Sequence, residues 1–486
     1  MNIEHSRAIR LASTVTGLDE LTLRDRQEKA LISVSLDPTL AGAPLAARTL
    51  LCTLRRLPGR LDLKSAGLPG GLIKEIIAAA LAIDPTRPLI LDQGEPEAAA
   101  RIHFGLKAPP GVIRVIPDGF GAQLAGDPDV ELHLGCPGNA LGAIVAAALA
   151  AAEAFKHVVV DNPDRRTLHR HLSFCPLTLT NDTTAAPVFP TARNPIDAAI
   201  VGNGAIGTAI ALILAELRLG GRLVLCDHER YGPENRGTYS LGGELEARTN
   251  PFKVELVGKI LRRAGYSTID LTEKSTAMIE RIDVGEIVAP PILFTGLDSV
   301  EARRETQMLF PDHIFDAATG DTALGLHHAV PAGPCLRCFF PQSRSGPDPL
   351  VRLAEETGLP VDRLRRGDDA LSEQDLSELS ASQRDLLSKF LGKPVCGLAD
   401  ALGLTSASVD DYRPSVPFVS QLAACLAVGR LLAVRIGLEP ETNLFQFDAL
   451  HGPQGGGEIR GPDPGCYCQQ RRTIIADLRV RRGLSS

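Results

Sequence analysis

Short apolar runs alternate with longer stretches of helical periodicity along the first half of this 486-residue chain. The run RTLLCTL is predicted as a strand and GLIKEIIAAALAI as a helix. Two further apolar runs, ARIHFGL and GVIRVIPDGF, precede an Ala-rich helix, NALGAIVAAALAAAEAF. This alternation predicts an α/β layer fold. The polar stretch that follows, CPLTLTNDTTAAPVFPTARNP, is interpreted as a linker or covering loop.

The second half shows the same alternation of strand and helix patterns. DAAIVG is predicted as a strand, Gly207 to about Leu219 as a helix, RLVLCD as a strand, KVELVGKILRRAG as a helix and PILFTGLD as a third strand. Such repeats imply a parallel sheet. A charged, helix-prone insert from Gly346 to Lys393 precedes a long apolar helix, PSVPFVSQLAACLAVGRLLAVRIG, and a strand pair is predicted near the C-terminus.

The two halves close on similar small-residue helices, Asn139–Phe155 and Val416–Val434. A degenerate first copy and a working second copy of one unit would explain this similarity. The general likeness of any two α/β units would explain it equally, so the sequence leaves both interpretations open.

Composition narrows the class of protein. With 44% hydrophobic and 22% charged residues the chain is typical of a soluble globular protein, and its net charge of −7 argues against general electrostatic binding of nucleic acid. The N-terminus lacks the apolar core of a signal peptide, and the Ala-rich stretch carries Glu153, so a buried helix is favoured over a membrane span. We therefore expect a cytoplasmic protein, in which the ten cysteines are not a disulfide framework and paired cysteines are metal ligands or catalysts.

A glycine-rich loop begins the second half. Gly202 would make the turn, Gly204 would let a phosphate approach the backbone, and Gly207 would let the helix pack closely on the strand. Asp227 ends the next predicted strand, where an acid binds ribose hydroxyls. Nucleotide binding is the favoured interpretation, and a purely structural turn is the alternative.

Four further polar residues distinguish a polyphosphate from a redox cofactor. Asn235, Arg236 and Lys253 follow the second strand, and Asp298 follows the third. Because the carboxyl ends of parallel strands face one crevice, cations there would neutralise phosphates and the carboxylate would hold magnesium. Singly, the cations could be surface charges and Asp298 a helix N-cap.

The segments IVGNGAIG, LCDHERYGPENR, NPFK and TGLDSVEARR resemble the ThiF/MoeB adenylation fold of the ubiquitin-activating enzyme superfamily, over about Ile196–Phe340 and the helix near Pro414. The resemblance implies ATP binding and adenylation of a C-terminal carboxylate. It implies that Asp227 holds the ribose, that Asn235 and Lys253 hold the phosphates, and that Asp298 holds magnesium. One departure is Thr238, which stands where the family has an arginine, and Arg236 is the candidate substitute.

Two close cysteine pairs form a candidate metal site. Cys335 and Cys338 make a CxxC, and Cys466 and Cys468 make a CxC. Four thiolates can surround one zinc ion tetrahedrally, and the resemblance implies a structural zinc here, although usually from two CxxC pairs. A redox or unpaired set is the alternative.

Cys396 stands apart from the other cysteines. In ubiquitin-type activating enzymes the thioester-forming cysteine occupies the corresponding interval, between the first zinc pair and the long apolar helix. A thiolate can attack an acyl-adenylate because AMP is a good leaving group. A buried structural cysteine is the alternative, and that is what we predict for Cys52, Cys226 and Cys425. His327 and His328 are predicted to be packing or surface residues.

Together these patterns and the resemblance to the ThiF/MoeB fold imply a Rossmann-like α/β ThiF adenylation fold in which a degenerate N-terminal half and an active half form a pseudo-dimer within one chain. The predicted domains are a degenerate half, 1–190; an active half with the zinc site, 191–345 and 414–486; and a helical insert carrying Cys396, 346–413. The predicted function is ATP·Mg²⁺-dependent activation of a ubiquitin-like or sulfur-carrier protein with a C-terminal glycine, then transfer through a thioester to a conjugating-enzyme-like protein, as in bacterial ubiquitin-like conjugation operons and antiphage defence.

Other functions remain open from sequence. They are adenylation of a sulfur carrier, peptide or small molecule without a thioester; an NAD-dependent oxidoreductase; and a non-catalytic scaffold whose loop is a relic. No nucleic-acid or membrane partner is expected, and the chain is expected to be a monomer or homodimer.

Overall fold

The computed structural model describes residues 5–92, 98–160, 169–184, 195–341, 349–364, 370–377, 379–392, 395, 398, 416–438 and 442–485. Two compact units are present, one formed by Met1–Phe340 with Pro414–Ser486 and the other by Pro341–Arg413. The larger unit contains both α/β halves.

The first half has five helices and seven strands among its described residues. In chain order they are α1 (Ser6–Thr16), α2 (Glu20–Lys29), β1 (Leu31–Leu36), α3 (Ala43–Leu54), β2 (Arg60–Leu63), α4 (Gly70–Ile83), β3 (Ile90–Leu91), β4 (Ala100–Phe104), β5 (Ile113–Asp118), β6 (Gly121–Ala125), α5 (Ala140–Val159) and β7 (Leu172–Phe174).

The second half starts with β8 (Ile196–Val201), α6 (Ala205–Leu217), β9 (Gly221–Cys226), α7 (Glu244–Thr249), α8 (Lys253–Arg263), β10 (Tyr266–Leu271), α9 (Ser275–Asp283), β11 (Ile292–Thr295), α10 (Val300–Thr306), β12 (His313–Gly320), β13 (Ala323–Ala329) and α11 (Leu336–Phe339). The smaller unit contributes α12 (Pro349–Thr357), α13 (Val361–Leu364), α14 (Glu373–Ser377) and α15 (Ala381–Ser388). The second half then resumes with α16 (Pro417–Arg435), β14 (Leu444–Asp448), β15 (Gly452–Pro453), α17 (Tyr467–Gln470) and α18 (Arg472–Arg481).

The two sheets share one topology. Their orders are β3-β2-β1-β4-β5-β6-β7 and β10-β9-β8-β11-β12-β13-β14-β15, so the second sheet repeats the first and adds one edge strand. In each, the first five strands are parallel and an antiparallel hairpin follows. Each half also places its long apolar helix, α5 or α16, between the second hairpin strand and the next strand. The predicted Rossmann-like α/β architecture is confirmed, and the second half is a structural repeat of the first.

The two long helices pack against each other at the centre of the larger unit, with the rings of Phe155 and Phe418 5.6 Å apart. Both are long and apolar enough to cross a membrane by length and composition, but 94% of each apolar window is buried inside the protein. One continuous hydrophobic core runs through both halves. Helices that are apolar all round are expected at such a central position.

Most predicted elements of the core are present, with one clear error. RTLLCTL is not a strand but the last part of α3, which begins after Gly42 with a proline in its first turn. Leu50, Leu51 and Leu54 are all buried on it, a spacing that a helix accommodates. The true first strand is LISVSL, β1, whose parallel pairing with β2 and β4 makes it an interior strand of its sheet.

The smaller unit is a set of short helices with its own apolar core, which includes Leu359, Leu371 and Leu387. Arg363 and Asp375 form a bidentate ion pair, with N–O distances of 2.7 and 2.9 Å. Charged side chains of the insert therefore include at least one structural pair.

Candidate functional site

The registers of three central strands bring the glycine loop and two acids to the same edge of the second sheet. Val201, the last residue of β8, pairs with Cys226 on one side and with Thr295 on the other. The segments that follow these three residues carry Gly202, Asp227 and Asp298 respectively. This edge, at the carboxyl ends of parallel strands, is where α/β sheets bind ligands.

The glycine loop has the backbone that its sequence predicts. Gly202 has φ +82°, in the left-handed region, and Gly204 is the N-cap of α6. A Cβ on Gly207 would lie 2.1 Å from the carbonyl oxygen of Gly202, so only glycine fits there. A Cβ on Gly204 would meet nothing closer than the Tyr239 hydroxyl, at 3.5 Å. The loop therefore leaves space beside the N-terminus of α6, where the helix dipole favours an anion.

Asp227 is anchored beneath this loop. Its Oδ2 accepts a hydrogen bond from the Asn203 amide at 2.7 Å, and its Oδ1 accepts one from the Glu229 amide at 2.8 Å. Burial raises the pKa of Asp227, and the nearby Lys253 acts against that rise. The carboxylate is thus fixed in place by the loop and lies next to a cation.

Lys253 is the first residue of α8 and is buried. Its ammonium group forms an ion pair with Glu229 and lies 5.3 Å from the centre of the Tyr239 ring. Burial alone would lower the pKa of Lys253, but Tyr239, Glu229 and Asp227 outweigh burial and raise the pKa above its ordinary value. These neighbours therefore favour the charged form of the lysine. The sequence did not identify Glu229 and Tyr239 as site residues, because their role depends on a contact in the folded protein with a lysine that lies later in the chain.

Asn235 ends a short 3₁₀ turn, Pro233–Asn235, in the segment between β9 and α7. Its side-chain oxygen accepts a hydrogen bond from the Gly232 amide at 2.8 Å, and the residue is buried. Thr238, which replaces the family's arginine, is also buried, so that position supplies no cation.

Arg236 is engaged elsewhere. Its guanidinium is fully buried, pairs with Glu244 at 2.6 Å and donates to the carbonyl of Ile83, in the first half, at 2.7 Å. These contacts join the two halves. The assignment of Arg236 to a nucleotide stays a prediction, and its observed contacts do not favour that assignment.

Asp298 is exposed in the loop between β11 and α10. It is not the helix N-cap that its position first suggested, because the N-cap is Ser299, whose hydroxyl accepts from the Ala302 amide at 3.1 Å. With the neighbouring serine as the cap, Asp298 is exposed in the loop that follows β11, next in sequence to Leu297. A Cβ on Gly202 would lie 2.9 Å from the Leu297 side chain, so this loop runs close to the glycine turn.

A buried polar network supports this loop and was missed from sequence. Asp316, on β12, has no exposed surface and accepts hydrogen bonds from Thr295, from Arg303 at 3.0 Å and from His327 at 2.9 Å. Although burial acts to raise the pKa of Asp316, Arg303 and the other partners hold that pKa below its ordinary value. The network ties α10, and with it the Asp298 loop, to the sheet.

His327 and His328 are packing residues, as predicted. His327 packs against Phe339 and Phe340, with ring centres 5.2 and 4.6 Å away. His328 accepts a hydrogen bond from Arg430 at 3.0 Å, and burial, followed by the charges of Arg430 and His313, lowers the pKa of His328 to about 3.

The first half lacks the same chemistry at the equivalent places. Lys64 is the first residue after β2, as Asp227 is the first residue after β9. Three residues after the fourth strand, Lys107 stands where the second half has Asp298. The loop after β1 is DPTLAG, in which Asp37 caps its own turn by accepting from the Thr39 amide at 2.9 Å. Lysines thus follow these two strands at the offsets where the second half has acids, and the loop after β1 lacks the glycine spacing of the cradle.

The four paired cysteines come together although 127 residues separate the pairs along the chain. Their sulfur atoms all lie within 4.8 Å of one another, with Cys335–Cys338 at 3.8 Å, Cys335–Cys466 at 3.7 Å and Cys338–Cys468 at 3.6 Å. Four sulfurs bound to one tetrahedral zinc at about 2.3 Å would be about 3.8 Å apart. The cluster fits a zinc ion.

The four other cysteines that the sequence analysis singled out divide into three cases. Cys396 lies outside the described residues. Cys226 and Cys425 are buried, as predicted, and burial raises the pKa of Cys226 to about 12. Cys52 differs from the prediction, because it is only half-buried and lines a cleft.

No protein-family model matches this chain. A curated relative, "Bacterial E1-like protein BilD" from Collimonas sp. (strain OK412), is 27% identical over 304 residues, which cover 60% of this chain and 56% of the relative. The chain therefore spans little more than half the length of this relative.

Similar solved structures include E. coli MccB with ATP, at 11% identity and a TM-score of 0.37 over 74% of this chain and 97% of that chain. They also include PaaA, at 14% identity and a TM-score of 0.31 over 55% of this chain and 65% of that chain. Superpositions at these TM-scores do not bear on activity, and the fold rests on the sheet orders and registers described above.

Proposed function

We propose that this chain is an adenylating enzyme that uses ATP to activate the C-terminal carboxylate of a small protein or peptide. The observation that carries the proposal is the shared edge of β8, β9 and β11, where a glycine cradle, a half-buried acid near a buried lysine, and an exposed acid follow adjacent strands. A nicotinamide cofactor would need the cradle and Asp227 but has no use for Lys253 and Asp298.

The roles follow from the geometry of the described residues. Gly202, Gly204 and the N-terminus of α6 would receive phosphate oxygens, and Asp227 would accept from the ribose hydroxyls. Lys253 is held charged beside Asp227 and would neutralise phosphate. Asn235 contributes its amide from the adjoining turn.

The exposed carboxylate of Asp298 is a hard oxygen donor and fits Mg²⁺, which when bound would neutralise charge on the phosphates. The substrate carboxylate attacks the α-phosphorus of ATP. A carboxyl oxygen–phosphorus bond forms, the bond to the β-phosphate breaks, and pyrophosphate leaves.

The finer part of the proposal concerns the substrate. The sequence resemblance to ubiquitin-activating enzymes, and the similarity to a protein described as E1-like, favour a ubiquitin-like or sulfur-carrier protein with a C-terminal glycine. We place this activity in the cytoplasm, with a conjugating-enzyme-like protein as the partner that receives the activated carrier.

Cys396 would take the acyl group in a second step. Its thiolate would attack the acyl-adenylate carbonyl, a thioester would form and AMP would leave. Support for this step comes from the position of Cys396 in the sequence, between the CxxC and α16.

The first test measures ATP binding with and without Mg²⁺ by titration calorimetry. We expect Asp298→Ala to weaken binding of ATP·Mg²⁺ by about tenfold, equal to about 1.4 kcal/mol. The difference in ATP affinity between Asp298→Ala and the unchanged chain should disappear in EDTA, because the carboxylate acts through the metal. Lys107→Ala, the equivalent position of the first half, is the matched control and should bind like the unchanged chain. Tight NADH binding without ATP binding, or indifference to Asp298→Ala, would contradict the proposal.

The second test concerns the thioester. With a candidate small carrier protein that ends in glycine as the substrate, Cys396→Ala should keep ATP–pyrophosphate exchange but lose the reductant-sensitive adduct. The control is Cys136→Ala, which changes a half-buried cysteine outside the four-cysteine cluster and should keep both. An adduct that survives in Cys396→Ala would remove this cysteine from the reaction, and exchange without any adduct in the unchanged chain would indicate adenylation without a thioester.

A further inference from the structure

A second cavity lies between the two halves and shares none of its lining residues with the glycine loop. Its volume is about 370 Å³, within the range of sites that hold small molecules. The first half supplies α3 and the end of α4, and the second half supplies α8, the segment 240–243 and one residue of α16. It is therefore formed only when the halves are packed together.

Positive charge dominates this cleft. Four of its lining residues are cations and one is an acid, Glu246. Arg48 is neutralised by ion pairs with Glu75 and Glu216, the latter at 2.5 Å. The other three cations, Arg56, Lys259 and Arg263, form no ion pair with a carboxylate among the residues that the structure describes.

Arg56 is the buried member of these three. Its exposed fraction is 2%, and its guanidinium donates to the carbonyl oxygens of Arg236, Ser240 and Gly242 at 2.8, 3.2 and 2.8 Å. Carbonyl groups satisfy its hydrogen bonds without cancelling its charge. A buried cation without a counter-ion is costly, so an anion in the cleft would be stabilised by it.

Lys259 and Arg263 lie four residues apart on the exposed part of α8. Like charges at this spacing destabilise a helix unless an anion lies between them. Leu256 and Ile260 line the same cavity at the same helical spacing, so one face of α8 offers the cleft both apolar surface and two cations.

The rest of the lining suits an organic molecule rather than a bare ion. Ile83 and Leu212 add apolar surface. Thr53 and Gln421 add a hydroxyl and an amide that are hydrogen-bonded to each other across the two halves at 2.9 Å.

From this arrangement we propose that the cleft between the halves is a binding site for a small phosphate-bearing molecule with an apolar or aromatic body. Its phosphate would lie between Lys259 and Arg263 and within the field of Arg56, and its body would contact the aliphatic side chains. This site is independent of the proposed adenylation, because the glycine loop, Asp227 and Asp298 do not line it.

The test uses phenyl phosphate as the probe and the full chain without ATP. Calorimetric titration should show one binding event that Lys259→Gln with Arg263→Gln weakens by about tenfold or more. The matched control is Arg262→Gln, which removes the same charge from the next residue of α8, where the side chain pairs with Asp270 at 2.8 Å and does not line the cleft. The control should bind within about twofold of the unchanged chain.

Cys52 lines the cleft and gives an independent measure of location. Phenyl phosphate should slow its alkylation by iodoacetamide, followed by peptide mass spectrometry, in the unchanged chain and the control but not in the double variant. The proposal would be overturned by equal affinity for phenyl phosphate in all three proteins, by no binding, or by binding that leaves Cys52 labelling unchanged. Benzyl alcohol binding as tightly as phenyl phosphate would overturn the role of the phosphate.

Discussion

At the scale of the residue, the site depends on a few backbone positions where only one side chain fits. Gly207 is the strictest, because a Cβ there would lie 2.1 Å from a backbone carbonyl oxygen. Gly204 is different, since a Cβ there would make an ordinary contact at 3.5 Å. The two glycines therefore have separable roles, one in packing α6 on its strand and one in leaving room for a ligand.

This difference predicts different variants. Gly207→Ala should lower the free energy of unfolding by about 1–3 kcal/mol and should also weaken ATP binding, because the loop must move. Gly204→Ala should leave stability nearly unchanged and weaken ATP binding alone. Urea unfolding and ATP titration measure the two effects, and a stable Gly207→Ala with normal ATP affinity would contradict this account of the loop.

At the scale of the element, short segments are fixed by contacts with distant parts of the chain. The CxxC precedes and enters α11, just after the β12–β13 hairpin, and the CxC lies at the start of α17. Burial raises the pKa of Cys335, and the charge of Cys338 raises it further. Burial also raises the pKa of Cys338, to about 11. A metal that binds thiolates would hold both segments together.

Zinc should therefore stabilise the C-terminal helices. We expect about one zinc per chain by elemental analysis, and Cys466→Ser should lose that zinc and lower the melting temperature. Cys136→Ser, outside the cluster, should keep both. A chelator that removes zinc without lowering the melting temperature would show that the metal is not structural.

At the scale of the whole molecule, one topology occurs twice and only one copy has the acids. The substitutions of lysine for acid at Lys64 and Lys107 fall at the same offsets from equivalent strands as Asp227 and Asp298. A sheet and its helices can fold without the site residues at the strand ends, because the hydrophobic core is formed by the buried apolar faces of these elements and not by the loops. The first half supplies instead a packing surface, with Arg56 and the Ile83 carbonyl contacting the second half.

The sequence by itself determined the local motifs and most elements of the second half. A glycine cradle, an acid after a strand and a close cysteine pair are recognisable because their geometry spans a few residues and is set by backbone sterics and helix ends. Strong periodicity likewise predicted α4, α5, α6 and α8.

Only the tertiary structure decided which motifs meet and what each charge contacts. RTLLCTL forms the last part of α3 and not a strand, because its leucines are buried in the core as helix residues. Ser299, and not Asp298, is the N-cap of α10. The Arg236 side chain contacts the first half of the chain. The gathering of four cysteines and the cationic cleft depend on parts of the chain far apart in sequence. Contacts of that kind are set by how whole layers pack together, and no short stretch of sequence encodes them.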